Sequence, residues 1–431
     1  MNTLRRYWMT LLVLALLAAG AFPAGAAVYP QCPCLLLDAD GNPDFTRLDP
    51  AKGALYNPAT GNVECTYTDA LGTHNVACKS LTAGDGHVYM ADRDRTGVDP
   101  DIGDTYVFGF SDVTQVANDQ ILDLGRLAAN TSAPTIEMKQ GQEFYLSLTN
   151  VTMFQRPDLF DSHTVHYHGF PNAASVFDGE PMASLAINLG STFTYYYNNV
   201  EPGTYMYHCH VEASEHMQMG MLGNLFVLPA QDGTLINNFS KFAYNDCPAA
   251  TDPMCGSTGY DVAHPIQLTA FDPNFHLADI SYNPLDFAGM NDTYPLFNGR
   301  GYPDTIDPNP IANVYGNFSQ NTPSLITATR GQRILLRISS LATVDFYTVT
   351  VLGLPMRVVG QGARLLRGPD GKDLSFLTNS ITLGGGESND VILDTANVSP
   401  GTYFLYTTNL NHLSNDAEDF GGMMTEIVVN P

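Results

Sequence analysis

Apolar and polar residues alternate along much of this chain. In Phe144-Tyr145-Leu146-Ser147-Leu148-Thr149, the residues Phe144, Leu146 and Leu148 fall on one side and Tyr145, Ser147 and Thr149 on the other, the period-two pattern of a strand. Thr192-Phe193-Thr194-Tyr195-Tyr196-Tyr197 is a second such run, rich in aromatic and β-branched side chains. Short runs of this kind, broken by turns, fill residues 81–230, and no strong amphipathic helix interrupts them. A polar stretch rich in Asp, Asn, Pro, Gly and Cys covers 231–262 and reads as a linker. From 263 to 431 the strand pattern returns, and so do particular words. Gly141-Gln142-Glu143-Phe144-Tyr145-Leu146-Ser147-Leu148 is echoed by Gly331-Gln332-Arg333-Ile334-Leu335-Leu336-Arg337-Ile338. Pro202-Gly203-Thr204-Tyr205 is echoed by Pro400-Gly401-Thr402-Tyr403, and Gly220-Met221 by Gly422-Met423. Their order is the same in both halves, which points to an internal duplication. The expected fold is all-β, with two antiparallel Greek-key β-sandwich domains.

Composition supports this reading and narrows it. A chain of 431 residues exceeds one compact domain. Its 44% hydrophobic and 15% charged residues exclude a disordered or membrane-embedded chain, and 38 Gly with 27 Pro suit many turns. Residues 1–26 read as a secretory signal: Arg5 and Arg6, a short apolar stretch from Met9 to Phe22, then Ala24-Gly25-Ala26. No later segment is long and apolar enough to span a membrane, so a secreted or periplasmic location is expected. The formal charge of −25 argues against nucleic acid and anionic lipid as partners, and leans slightly towards cations or basic redox proteins.

Residues 27–80 form an irregular segment rich in Cys, Asp and Gly. Besides Cys209, the chain has Cys32, Cys34, Cys65, Cys78, Cys247 and Cys255, an even set that fits disulfides in an exported protein. Cys247 with Cys255 and Cys65 with Cys78 are local pairings; Cys32 and Cys34 can instead bridge to Cys65 and Cys78. Asp38-Ala39-Asp40-Gly41-Asn42-Pro43-Asp44 alternates carboxylates as calcium loops do, but lacks the Glu of an EF-hand, and a turn is the preferred reading.

The chemistry is concentrated in two words. His163-Thr164-Val165-His166-Tyr167-His168-Gly169 lies upstream of Tyr207-His208-Cys209-His210, which is followed by His216 and Met221. Side chains alternate along a strand. One face therefore collects His163, Cys209, His216 and Met221, and the other His166, His168, His208 and His210. A thiolate, two imidazoles and a weak thioether suit type 1 copper, and neutral imidazoles suit a second copper site that binds oxygen or another small oxidant. Asp161, Asp178 and Glu215 are candidates to orient these ligands. His74, His87, His264, His276 and His412 stand alone and read as surface or hydrogen-bonded histidines. In the second half, Tyr406-Thr407-Thr408 falls opposite His208-Cys209-His210, and no histidine lies between 277 and 411.

The two histidine words resemble those of multicopper oxidases, the laccase, ceruloplasmin and bilirubin-oxidase group. So do Asp178-Gly179, Gly190-Ser191-Thr192-Phe193-Thr194-Tyr195 and Pro202 to His208, while Asn298-Gly299-Arg300-Gly301 and the half after it, 263–431, resemble the family's copper-free domain. The resemblance covers roughly 80–431. It implies cupredoxin-like domains, with His163, Cys209, His216 and Met221 as type 1 ligands, His166 as a type 2 ligand, and His168, His208 and His210 as type 3 ligands. It also implies a catalytic path through Cys209, His208 and His210, from a reductant to dioxygen. The donor can be a small molecule, a metal ion or a redox protein.

Two features depart from the family. Five residues separate His210 from His216, where three are usual, and the chain supplies two of the four His-x-His pairs that a trinuclear cluster uses. A homo-oligomer that completes the cluster between subunits is therefore expected. The alternatives are a copper nitrite reductase-like enzyme, with His412 or His276 as an extra ligand, and a non-enzymatic blue-copper electron-transfer or copper-binding protein.

Overall fold

The computed structural model describes residues 29–90, 104–171, 173–199, 201–416 and 421–431. The expected signal at 1–26 lies outside them. The chain begins with β1 (Leu35–Leu37), β2 (Pro43–Leu48), β3 (Leu55–Asn57), β4 (Asn62–Asp69) and the 18-residue β5 (Gly72–Tyr89). The first half continues with β6 (Asp104–Asp112), β7 (Ala133–Lys139), β8 (Glu143–Thr152), β9 (His166–His168), β10 (Thr192–Asn198), β11 (Gly203–His208) and β12 (Leu222–Leu228). One sheet runs β10-β8-β5-β4-β3 with β6 also on β5; the other runs β7-β12-β11-β9.

These sheets close on one core because the period-two pattern is kept. Phe144, Leu146 and Leu148 of β8 enter it with Tyr195 and Tyr197 of β10. On the opposite face Ser147 and Thr149 bond the hydroxyls of Thr194 and Thr192 at 2.8 and 2.9 Å. Such burial contributes about 25 cal/mol per Å² of apolar surface, and cross-strand hydroxyl pairs add a few tenths of a kcal/mol.

Three disulfides form. Cys32 pairs with Cys78, Cys34 with Cys65, and Cys247 with Cys255. Of the two pairings left open above for the N-terminal segment, the structure takes the bridging one. The first two bonds close their own small core around Phe45, Val63 and Val76. Residue 80, where composition changes, falls inside β5, so this segment and the first sandwich share a strand. The Asp38 carboxylate accepts the N–H groups of Asp40, Asn42 and the Asn118 side chain, which is the turn reading of that loop.

The linker carries the short pair β13 (Lys241–Phe242) and β14 (Gly259–Tyr260). The second half repeats the first. Its strands are β15 (Val262–Phe271), β16 (Tyr294–Phe297), β17 (Ile311–Ala312), β18 (Phe318–Gln320), β19 (Ile326–Thr329), β20 (Arg333–Ser340), β21 (Tyr347–Val351) and β22 (Met356–Gln361). They are followed by β23 (Arg364–Leu365), β24 (Phe376–Thr378), β25 (Ile381–Leu383), β26 (Ser388–Asp394), β27 (Gly401–Thr407) and β28 (Met424–Asn430). β8 is parallel to β5 as β20 is to β15, and β7 is parallel to β12 as β19 is to β28. Ile334, Leu336 and Ile338 fill the second core as their counterparts on β8 fill the first.

The halves meet face to face. Met206 and Leu222 of the first pack with Phe271, Leu296 and Leu341 of the second. Beside them, the Thr204 hydroxyl donates to Asp390 at 2.6 Å and Ser388 donates to the Thr204 carbonyl at 2.7 Å. The buried Arg337 guanidinium lies 3.6 Å from Asp390.

Candidate metal centre

β11 ends at His208 and sets the pattern. Tyr205 and Tyr207 point into the first core with Cys209, while His208 faces the other way. β9 pairs beside it, with His166 opposite His208 and His168 opposite Met206. The longer loop after His210 is a short helix, α2 (Ala213–Gln218) in the order of the chain after α1 (Ile121–Leu124). It opens at Glu212, which holds φ +44°, and it delivers His216 to the core.

Two ligand groups result. Ligand atoms of His163, Cys209 and His216 lie within 4.8 Å of one another, and so do those of His166, His168 and His208. In the first group the Cys209 thiol lies 3.2 Å from Nδ1 of His216 and 3.9 Å from Nδ1 of His163. The Thr164 amide also donates to this sulfur at 3.4 Å. Met221 is fully buried, and its amide donates to the His216 carbonyl at 2.8 Å. Cys209 is the free cysteine among the described residues, and it is buried. Burial holds the His163 imidazole neutral, well below its usual range. Burial pulls His216 down as well, but the sulfur of Cys209 and the Asp161 carboxylate outweigh it and push His216 up to about 10. Oδ2 of Asp161 stands 3.8 Å from Nε2 of His216. Glu215 is pushed up to about 7 by burial.

In the second group, Nδ1 of His166 lies 2.6 Å from the Asp178 carbonyl, and Nδ1 of His208 lies 2.8 Å from the Cys209 carbonyl. These bonds fix the orientation of both rings. Nε2 of His208 stands 3.4 Å from Nδ1 of His168. His210 sits outside this group of three, with its ring 5.0 Å from that of His166. Burial lowers His168, and drives His208 down to about 3. Uncharged imidazoles with a free lone pair are metal-ready.

All four histidines line a cavity of about 430 Å³. Its far wall belongs to the second half, from Leu341 to Phe346 with Gly385 and Gly386. Asp345 is the one ionisable group there among the described residues. The two histidines named above as extra ligands are elsewhere. Both ring nitrogens of His276, on α3 (Pro273–Ile280), are bonded, to the Tyr106 and Gln218 carbonyls. His412 packs on Tyr347. His74 bonds Glu143 and His87 bonds Gln155, as expected of isolated histidines.

Two family models described as multicopper oxidase match, one over residues 127–232 and one over 215–429. The chain belongs to the multicopper oxidase family. As a multicopper oxidase it is an oxidoreductase, and copper of type 1 and type 2/type 3 is its cofactor. The donor set fits that metal: a buried thiol and two Nδ1 atoms turned towards it, beside a cluster of neutral imidazoles. Among solved structures, the blue copper oxidase from Nitrosomonas europaea is 21% identical with a TM-score of 0.57, over 81% of this chain and 85% of that one. The multicopper oxidase mgLAC is 19% identical with a TM-score of 0.55, over 81% and 85%. A copper nitrite reductase from Nitrosomonas europaea is 15% identical with a TM-score of 0.51, over 82% and 94%. These likenesses speak for the shared cupredoxin fold. No curated protein matches the sequence.

Proposed function

We propose that this multicopper oxidase is exported and oxidises a small molecule, metal ion or redox protein at a type 1 site, with dioxygen as electron acceptor at the histidine cluster. His163, Cys209, His216 and Met221 would hold the type 1 ion. His166, His168, His208 and His210 would hold the type 2/type 3 ions. Bound there, copper supplies one-electron transfer at the thiolate and dioxygen reduction at the imidazoles. The observation that carries this reading is that Cys209 lies between His208 and His210, so one residue links both groups covalently. Burial of Cys209, His163 and His216 keeps water from the thiolate. The three disulfides and the residues at 1–26 support export to an oxidising compartment. No helix among the described residues is long and apolar enough to cross a membrane.

Among the described residues the wall facing the histidines carries Asp345 and no imidazole, so the further histidines of a trinuclear cluster would have to come from a second copy of the chain. Copper counting by optical and spin-resonance spectra, beside a native mass, tests this. Type 1 and coupled type 3 signals in an oligomer are expected; a copper-loaded monomer without type 3 coupling defeats it. The compact group of three histidines supports a second reading, a mononuclear site of nitrite reductase type. Turnover with nitrite and not with oxygen would select it.

A further inference from the structure

The two halves agree bond for bond around the thiol. In the first, the Cys209 amide donates to the Met221 carbonyl at 3.1 Å and the Met221 amide to the His216 carbonyl at 2.8 Å. In the second, the Thr407 amide donates to the Met423 carbonyl at 3.0 Å and the Met423 amide to the His412 carbonyl at 2.9 Å. Strand register supplies the fourth position. His166 pairs with His208, and Thr350 pairs with Tyr406. Tyr347 precedes Thr350 by the same three residues that separate His163 from His166. The rings repeat as well. His163 and His216 lie 5.1 Å apart with their planes at 52°; Tyr347 and His412 lie 5.1 Å apart at 54°.

Tyr347, Thr407, His412 and Met423 therefore occupy the places of His163, Cys209, His216 and Met221. The isolation of His412 in the sequence is a matter of loop length. It precedes Met423 by eleven residues, where His216 precedes Met221 by five. Tyr347, Thr407 and Met423 are fully buried. The Tyr347 hydroxyl and Nδ1 of His412 are buried and have no hydrogen-bond partner among the described residues. A buried polar atom without a partner costs about 1–3 kcal/mol. Nδ1 is also the nitrogen that His216 turns to the Cys209 thiol.

We propose that this constellation is a second metal site, which holds Cu(I) between Nδ1 of His412 and the thioether of Met423. The exchange of thiolate for hydroxyl and of one imidazole for phenol leaves one nitrogen and one soft sulfur. That pair selects Cu(I) over hard divalent ions. The site uses second-half residues alone and stands apart from the oxidase reading of the first half.

Full-length protein, titrated anaerobically with Cu(I) alone against a chromogenic Cu(I) chelator, provides the test. Met423→Leu conserves volume, and His412→Gln keeps a polar side chain. Each is expected to lower the Cu(I) count by one per chain, with the first-half thiolate–copper absorption unchanged as the check on folding. Thr407→Cys combined with Tyr347→His rebuilds the ligand set and is expected to double that absorption. A full Cu(I) count in either single variant overturns the proposal. So does a folded double variant with no second thiolate–copper band.

Discussion

Gly386 and His168 meet across the cleft between the halves: a Cβ on Gly386 would lie 2.6 Å from Nε2 of His168. The second half thus sets the position of a first-half imidazole. Gly386 also holds φ +87°, which a residue with a side chain adopts at a cost. Gly386→Ala is expected to displace the His168 ring and to lower stability by about 1 kcal/mol. Copper at the histidine cluster should fall while the thiolate absorption stays, read by spin resonance beside the optical spectrum. Intact cluster copper would refute the contact.

Cys209→Ser removes the thiol that His163 and His216 face through Nδ1. The thiolate–copper absorption should vanish and donor oxidation should stop. Copper at His166, His168 and His208 should remain in the spin-resonance spectrum, because their nitrogens are fixed by other bonds.

Asp161 backs His216 from the side away from the thiol. Groups in this position tune ligand orientation, and their loss typically costs 10–100-fold in metal affinity. Asp161→Asn is expected to release type 1 copper to a chelator at roughly that factor faster, with little change in melting of the metal-free chain.

Asp292 gives stability a pH dependence. Burial raises its pKa to about 7, against the Gln218 side chain that donates to it at 2.8 Å. Its folded value lies above its unfolded one. The folded chain therefore binds the proton more tightly, and stability declines as pH rises from about 4 through about 7. Asp292→Asn should flatten this slope and raise stability at pH 8 by on the order of 2 kcal/mol. Denaturant melts at pH 4 and pH 8 decide it; an equal slope in both proteins would place the effect elsewhere.

The sequence made much of this legible for a physical reason. Strand periodicity is local, so Phe144, Leu146 and Leu148 announce their face, and His208, Cys209 and His210 announce two faces at once. The repeated words located the second sandwich because turns and edge residues return at the same register. What stayed hidden depends on distance along the chain. The partners of Cys32 and Cys34 lie 46 and 31 residues away, and spacing alone allowed another pairing. His412 was hidden by a longer loop, and Gly386 by having no side chain to notice.

β5 crosses without a break from the disulfide-bound segment into the copper-bearing sandwich. At about 3.3 Å per residue, its 18 residues form a splint on the order of 60 Å long. Cys78 anchors one part of that splint, while Ala77, Leu81 and Ala83 are set into the core that also holds Cys209. One strand thus couples the disulfide-bound segment to the sandwich. Reduction of Cys32–Cys78 should be felt by the metal site as a change in rigidity, transmitted along a single beam.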